Sequence, residues 1–289
     1  MNEALNRGTG LLLIEVINSN PNGDPDRESD PRTRFDNRGE ISPVSFKRKV
    51  RDLVADKQSV FWKEISSELG LDDGRFDILE KQDTIRSEVK KMNEDQFLNT
   101  YWDARVFGST FLEDKDQANS FIKTGVAQFG LGVSLSPVHI ERMTTTKVMP
   151  VQEDKSKGMA PLAYRIVSYG VYTMPFFVNA TAAARTQCTR QDIELLLRLL
   201  PFAYTQSASY IRPQVNIRHA FYVEHHRARG TFNDFKIIEM LTPKCHLAPN
   251  EEASSWQDYD EEGLKKSIQA LNDQLIGKAS PVVDLTEQL

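Results

Sequence analysis

The chain has 289 residues, 39% hydrophobic and 27% charged, which is typical of a folded globular protein and excludes a disordered one. The net charge of −5 excludes a uniformly basic nucleic-acid coat but allows a local basic surface. No apolar run approaches the roughly 20 residues of a membrane span. The first residues lack a signal-peptide core, and the isolated Cys188 and Cys245 suit a reducing compartment, so we expect a cytoplasmic protein without membrane contact.

The first predicted element is a buried strand at 10–17, where branched apolar residues predominate. It leads into a segment of turn-forming residues at 18–26, and an irregular loop then continues to about Glu40. Ser42 followed by Pro43 predicts the start of a helix, with serine as N-cap and proline in the first turn. Apolar residues at helical spacing then predict a buried stripe, formed by Phe46, Val50, Leu53 and Val54.

Four segments follow in the middle of the chain. Residues 60–99 are charged and are expected to form a polar, mostly helical insertion. Residues 101–111 are expected to form strand and turn. The polar stretch at 144–163 is expected to be a protruding loop or hairpin, followed by a strand at 164–178.

The last third contains three predicted elements. Thr189 and Asp192 have the spacing of a capping box and predict the start of a helix. Alternating apolar residues predict a half-buried strand at 215–223, and a final helix at 264–275 is expected to end at Gly277. Interleaved strands and helices without a linker favour a single α+β domain.

The loop that follows the first strand is the strongest local signal. Oxygen-bearing side chains fall on alternate residues, and Gly23 occupies the sixth place, as in a calcium-binding loop. The twelfth place is Ser29 where such loops need a bidentate glutamate. A loop held by its own Asx turns is a second interpretation. The third is contact with phosphate and ribose through asparagine amides and backbone N–H groups. The residues of this third interpretation are Asn18, Asn20, Asn22 and Gly23.

The second signal is basic. At 100° per residue, Lys47, Arg48 and Arg51 share one flank of the apolar stripe, and Lys49 lies on the other. A solvated helix face would have the same pattern. Nearby arginines favour a phosphate track instead, namely Arg27, Arg32, Arg34 and Arg38.

Two further candidates lie downstream of the insertion. Arg105 could form a structural ion pair with Asp103 or contact RNA. Gln128 and Phe129 could offer a polar contact and a stacking face, or could simply belong to a strand.

Motifs for catalysis are missing. The five histidines form no HExxH motif, and the sequence has no GxSxG, Walker or GxGxxG motif. We therefore predict no catalytic residue, no bound metal and no cofactor. Two alternatives stay open, a calcium-stabilised interaction module and a metal-dependent ribonuclease that uses loop aspartates. Those aspartates are Asp24, Asp26, Asp30 and Asp36.

Several motifs occur together in a specific order. They are Asn-Pro-Asn-Gly-Asp-Pro-Asp at 20–26, Phe-Lys-Arg-Lys-Val-Arg at 46–51, Asp-Ala-Arg-Val-Phe-Gly at 103–108, Thr-Gly at 124–125 with Gln128, and Glu-Arg-Met-Thr-Thr-Thr at 141–146. In these motifs the chain resembles the backbone subunits of type I CRISPR Cascade complexes, of the kind found in subtypes B and C.

The resemblance implies an α+β fold with an RRM-like (ferredoxin-like) palm at about 8–57, 101–142 and 164–289. Helical fingers would occupy about 60–99, and a hairpin thumb about 143–163. It also implies a homo-oligomer that stacks along a guide RNA without cutting it. The implied partners are the CRISPR guide RNA, target DNA through the guide, further copies of the chain and other Cascade subunits. The residues expected to contact RNA are Asn18, Asn20, Asn22, Gly23, Lys47, Arg48, Arg51, Arg105, Gln128, Arg142 and Lys147.

Overall fold

The computed structural model describes residues 4–111, 121–149 and 158–288. The strands are β1 (Gly8–Ser19), β2 (Arg38–Ile41), β3 (Gly108–Phe111), β4 (Phe121–Thr124), β5 (Ala127–Phe129), β6 (Gly132–Pro137), β7 (Ile140–Met149), β8 (Gly158–Val178), β9 (Val215–Glu224) and β10 (Val283–Asp284). The α-helices are α1 (Pro43–Ala55), α2 (Val60–Glu68), α3 (Arg86–Val89), α4 (Glu94–Thr100), α5 (Trp102–Phe107), α6 (Ala183–Thr186), α7 (Arg190–Leu199), α8 (Asp234–Leu241) and α9 (Glu261–Leu275).

Most strands join one antiparallel sheet, whose main path runs β10-β9-β1-β8-β6-β2. The long strand β8 also pairs with β5 and with β7, while β3 and β4 form a separate pair. The result is a mixed α+β fold, as the sequence predicted. Strands β2 and β10 lie at opposite ends of the path.

Strand β1 has both faces buried, and this explains its continuous apolar sequence. Leu12 and Ile14 belong to the main core, which is completed by α1 and α7. The alternate residues Leu11 and Leu13 pack in a second core with α8 and α9. Because successive side chains of a strand point to opposite faces, helices cover the sheet on both sides at β1.

Helix α1 forms as its sequence predicted. The Ser42 hydroxyl oxygen accepts the Ser45 N–H at 3.2 Å, and Pro43 occupies the first turn. Phe46 and Val50 are fully buried in the main core. The apolar stripe therefore fixes which flanks of α1 carry its basic side chains.

The prediction of strand and turn at 101–111 is wrong over Trp102–Phe107, which form α5. Every residue of α5 is buried, so its sequence shows neither the helical period nor strand alternation. The indole N–H of Trp102 donates to the Asp192 carbonyl at 3.1 Å, which fastens α5 to α7. The helix ends at Gly108, whose φ of +89° favours glycine.

The polar stretch beyond residue 140 forms a hairpin. Its two strands pair from Ile140 opposite Val167 to Met149 opposite Gly158, while the connection at 150–157 lies outside the described residues. In the other insertion, 60–99, the structure has the short helices α2, α3 and α4 joined by irregular backbone, so it is less helical than the sequence predicted.

Candidate nucleic-acid interface

The asparagines of the loop after β1 turn inward. The side-chain amide of Asn20 donates to the Ser29 carbonyl at 2.9 Å. Asn22 donates to the Gly23 carbonyl at 3.1 Å, and its amide oxygen accepts the Ser42 N–H at 2.7 Å. The Asn20 side chain therefore holds the loop to itself and that of Asn22 holds it against the start of α1, as expected for a loop held by its own side chains. These bonds give both side chains a bracing role, and their direct contacts with RNA stay predictions.

Two polar atoms of this loop, the Asn20 amide oxygen and Asp30 Oδ1, are buried and have no hydrogen-bond partner in the described residues. Gly23 pairs with Pro31 across the loop, and a Cβ there would lie 3.2 Å from the Ser29 carbonyl oxygen. Asn18 is exposed at a φ of +43°, and its carbonyl accepts the Tyr164 hydroxyl at 3.3 Å.

The loop acids face arginines of the hairpin. The Asp30 carboxylate accepts from Arg142 Nε at 3.0 Å and from Nη2 at 2.6 Å. Arg165 Nη1 lies 3.4 Å from the other Asp30 oxygen, and Arg165 also pairs with Glu28. Arg142 is thus exposed but already neutralised by Asp30. In the described part of the chain, no three or more His, Cys, Asp or Glu side chains gather as metal ligands.

The most distinctive electrostatic feature is on α1. Lys47 and Lys49 lie on opposite flanks of the buried Phe46, and Lys49 is only 8% exposed. The Lys47 ammonium lies 5.3 Å from the centroid of the Phe107 ring, and that of Lys49 lies 5.5 Å from the Tyr204 centroid. Neither ammonium makes an ion pair or hydrogen bond with any described residue.

This environment disfavours the charged form of both lysines. Burial, followed by the neighbouring Arg212 guanidinium, lowers the pKa of Lys49 to about 8. Burial and then Arg51 lower the pKa of Lys47 below its usual value. A desolvated cation beside another cation gains strongly from an anion. The two flanks of α1 are therefore suited to hold phosphate.

Arg212 was missed as a candidate. Its guanidinium Nε donates to the Asn20 carbonyl at 2.9 Å, and burial lowers its pKa. It thus joins Lys49 beside the braced loop, although 163 positions separate them in the sequence of the chain. No local sequence signal identifies such a pair, since only the fold brings α1 next to residue 212.

Arg48 and Arg51 already have acidic partners. Arg48 is exposed, lies 2.8 Å from the Asp52 carboxylate and donates to the Glu80 carbonyl at 2.7 Å. Arg51 is 4% exposed, and its Nε donates to Asp103 Oδ2 at 2.9 Å. Arg51 therefore holds α1 to α5, and its positive charge repels the ammonium of Lys47.

Arg105 is a structural residue, which corrects its expected role in RNA contact. Its side chain has no exposed surface, and Nη2 lies 2.6 Å from Asp192 Oδ1. It also donates to the carbonyls of Leu98 at 2.6 Å and Arg75 at 2.8 Å. The expected ion pair exists, but its partner is Asp192 of α7 rather than Asp103.

The remaining candidates lie apart from α1. Gln128 is half-buried in β5 and donates to the Gly125 carbonyl at 3.0 Å. Lys147 lies on β7 opposite Ala160, and its side chain is outside the described residues. Their RNA contacts stay predictions.

A small aromatic surface lies at the base of the hairpin. The rings of Tyr164 and Tyr210 meet edge to face at 5.6 Å, and Tyr210 is 61% exposed. Met143, which pairs with Tyr164 across the hairpin, is 46% exposed. The arginines Arg142 and Arg165 occupy the next pair of the ladder, and therefore the opposite face.

Comparison with known proteins identifies the family. A sequence model of the family described as CRISPR-associated protein Cas7 matches residues 6–262. A CRISPR-associated protein Cas7 of Haloferax volcanii is 27% identical over an alignment of 220 residues, and the match covers 66% of this chain and 62% of that protein. The match thus spans less than two thirds of the relative's length. The chain belongs to the Cas7 family, which confirms the predicted family.

Solved structures have the same fold. A chain of a CRISPR RNA-guided surveillance complex superposes with a TM-score of 0.51 at 15% identity, covering 94% of this chain and 86% of that one. A chain of such a complex in a pre-nicking state gives a TM-score of 0.54 at 14% identity, covering 94% and 90%. Across the described residues, the structure has no helix with the length and apolar character needed to cross a bilayer.

Proposed function

We propose that this chain is a non-catalytic RNA-binding backbone subunit that coats a CRISPR guide RNA and presents it to target DNA in antiviral defence. The observation that carries the proposal is the pair of ammonium groups of Lys47 and Lys49. They are desolvated on the two flanks of α1, and burial outweighs the attraction of the nearest acids, Glu80 for Lys47 and Asp52 for Lys49, neither of which forms an ion pair with them. Membership of the Cas7 family supports the same role.

The chemistry of a guide scaffold matches this arrangement. A protein that holds any guide sequence must contact phosphate and ribose and leave the base edges free for pairing. Two cations set apart on one rigid helix are suited to neighbouring phosphates of one strand. Arg212 adds a third cation beside Lys49, and the loop braced by Asn20 and Asn22 holds the start of the helix in place.

In this proposal the sheet and its helices form an RRM-like palm, 60–99 form the fingers, and the hairpin of β7 and β8 forms the thumb. The ten paired positions of the hairpin, from Ile140 opposite Val167 to Met149 opposite Gly158, support a rigid arm. The exposed aromatic surface of Tyr164 and Tyr210 at its base is suited to contact with an unstacked base.

Copies of the chain then stack along the guide and join other Cascade subunits. The solved structures with the same fold come from CRISPR RNA-guided surveillance complexes, which supports this assembly. A contact between different surfaces of identical copies gives an open helix when the rotation does not close. The length of the RNA would then set the number of copies.

The nuclease and calcium alternatives gain no support from the loop geometry. Asp30 is held by Arg142 and Arg165, and two cations beside a carboxylate oppose the approach of a metal ion. Asp24 accepts the Asp26 N–H at 3.2 Å as the cap of a short turn. Asn20 and Asn22 direct their amide donors into the loop itself.

The test is binding to single-stranded RNAs of increasing length and scrambled sequence, measured by native mass spectrometry. We expect stepwise gain of copies with length, independent of sequence. Replacing Lys47 and Lys49 together by methionine keeps their apolar length and removes both charges. Loss of two charge-assisted contacts of about 1.5–3 kcal/mol each should weaken binding by at least 100-fold.

The matched control is Lys266→Met, because Lys266 is exposed on α9 and far from α1 in the fold. The double variant should also bind with a weaker salt dependence. Each lost phosphate contact makes the negative slope of log K against log salt shallower by about 0.7, so two lost contacts make it shallower by about 1.4. Equal binding by the double variant and the control would refute the assignment to α1. A single copy on every RNA length would refute the scaffold role.

A further inference from the structure

An exposed aromatic ring stands at the end of a small rigid turn. Phe35 is 94% exposed, the most exposed of the large apolar residues in the described chain. The turn at 33–39, called here the Phe35 tip, is closed by the Thr33–Gly39 bridge and by the Arg34 N–H, which donates to the Arg38 carbonyl at 2.8 Å. Asn37 adopts a φ of +59° at its corner. The ring is thus presented on ordered backbone.

A cavity of about 610 Å³ lies at the other end of the sheet, between α2 and α7. Its lining includes the apolar side chains of Leu69, Ile193, Leu197 and Leu285. Pockets of about 300–1,000 Å³ hold ligands larger than one aromatic ring. This α2–α7 pocket therefore has room for a phenylalanine together with the side chain next to it.

The tip and the pocket lie too far apart to meet within one copy. The tip leads directly into β2 at one end of the sheet path, whereas the pocket is lined by Tyr222 and Glu224 of β9 near the other end. Four strand spacings of about 4.8 Å separate β2 from β9, roughly 19 Å in all. A contact between them must join two molecules.

The charges around the two surfaces are complementary. Arg34, next to Phe35, is exposed, and Glu194 is exposed at the pocket rim. Neither side chain has an ion-pair or hydrogen-bond partner within the described ranges. Two other rim acids are already paired, Glu68 with Arg198 and Glu224 with Arg190. Glu194 is thus the rim carboxylate left for an incoming guanidinium.

We propose that the Phe35 tip of one copy inserts into the α2–α7 pocket of the next, with Arg34 facing Glu194. The two surfaces differ and lie at opposite ends of the sheet, so the contact is heterologous, and it repeats as an open array when the rotation between copies does not close. One ring buries less than the roughly 1,000 Å² of a stable interface. The contact therefore acts between copies already held side by side on RNA, where effective concentration is high. The proposal rests on the RNA-coating role for its measurements on RNA, whereas crosslinking without RNA tests the contact independently of that role.

The first test places the photocrosslinking amino acid benzoylphenylalanine at position 35 of the full chain. Illumination without RNA at high protein concentration, and with RNA, should yield dimers whose crosslinked peptide contains α7. The matched control carries the same group at Phe235, which is 80% exposed on α8. Crosslinks from position 35 only to RNA, or only to other protein segments, would overturn the proposal.

The second test measures cooperativity on RNA. Phe35→Ala should weaken binding of the second copy about 10-fold, as expected for a central aromatic contact, while Phe235→Ala should not. Binding of one copy to a short RNA should stay within twofold of the wild type for both variants. If even the wild type fails to bind short RNA, the RNA-coating role fails, and the crosslink at position 35 still decides this contact.

A charge exchange completes the test. Arg34→Glu and Glu194→Arg should each reduce the binding of the second copy, and the two changes combined in one chain should restore it. Both positions are exposed, so thermal melting should confirm that the fold is unchanged. If both single variants bind the second copy more weakly and the combined variant does not restore this binding, Arg34 does not face Glu194.

Discussion

Arg105 and Asp192 form a fully buried ion pair in which Nη2 of the guanidinium lies 2.6 Å from Oδ1 of the carboxylate. Asp192 also accepts the Thr189 N–H at 2.7 Å in the capping box at the start of α7. One carboxylate thus begins a helix and fixes its position against α5. Asp103 of α5 in turn accepts a hydrogen bond from Arg51 of α1. The Arg105–Asp192 pair therefore helps to hold α5 in the position that supports α1 and its lysines.

Arg105→Met should lower the free energy of unfolding by about 3–5 kcal/mol, because it leaves the Asp192 charge buried without its cation. Urea denaturation would measure the loss. Arg198→Met is the control, since the pair of Arg198 and Glu68 is 39% and 54% exposed and should contribute at most about 1 kcal/mol. Weaker RNA binding by folded Arg105→Met, with unchanged stability, would contradict the structural role.

RNA affinity should fall as the pH rises above about 8. The pKa of Lys49 is about 8 in the free protein, and a bound phosphate raises it, so binding takes up a proton above this pH. Lys47 acts in the same direction because its pKa is lowered too. Fluorescence anisotropy with oligoadenylate from pH 7 to 9.5 would measure the decline. Lys49→Arg keeps its positive charge across this pH range, so its RNA affinity should decline less steeply. Identical pH profiles for the wild type and Lys49→Arg would contradict the assignment of phosphate binding to Lys49.

Asp30→Asn should strengthen RNA binding. Asp30 neutralises Arg142 and lies 3.4 Å from Arg165, so its removal frees positive charge at the base of the hairpin. One additional phosphate contact would steepen the salt dependence by about 0.7 in log K per log salt unit. Titrations at several salt concentrations would detect it. A metal-dependent cleavage activity that disappears in Asp30→Asn would instead favour the ribonuclease alternative.

Asp234 should contribute stability that is lost in acid. Burial acts to raise the pKa of Asp234, but hydrogen bonds from His225, Arg7 and Thr9 outweigh it and hold the pKa well below its usual range. A depressed carboxyl pKa stabilises the fold at pH values above that of the unfolded group, about 3.9. Its contribution is lost as the pH falls through the folded-state pKa.

The measurement is the stability difference between the wild type and Asp234→Asn. It should be largest above pH 5 and shrink towards pH 2. The exposed Asp36 pairs with Arg38 only at 3.9 Å, so Asp36→Asn serves as the control with little change at any pH. A constant difference across this range would contradict the linkage.

Local patterns predicted the elements that define the fold's framework. The cap of α1, its buried stripe and the double burial of β1 follow from spacing and composition alone. Residues 150–157, part of the expected thumb, lie outside the described residues. Helix α5 was missed because a segment buried on every side carries no periodic pattern.

The site was harder to predict, since its properties depend on distant residues. The basic run on α1 was visible, but the helical projection favoured Lys47, Arg48 and Arg51 together. The structure assigns Arg51 to Asp103 and leaves Lys49 unpaired beside Tyr204 and Arg212. A sequence shows which side chains are basic, whereas only packing decides which of them already has an anion.

The two cores on either side of β1 determine where a nucleic acid can lie. Many RNA-binding sheets display aromatic side chains on an open face, where bases stack and their identities are recognised. Here Leu12 and Ile14 on one side, and Leu11 and Leu13 on the other, meet covering helices. The central strand offers no platform for bases. In the proposed RNA-binding role, the sugar–phosphate chain would therefore lie at the margins of the sheet, and contacts at the margins would not depend on nucleotide sequence.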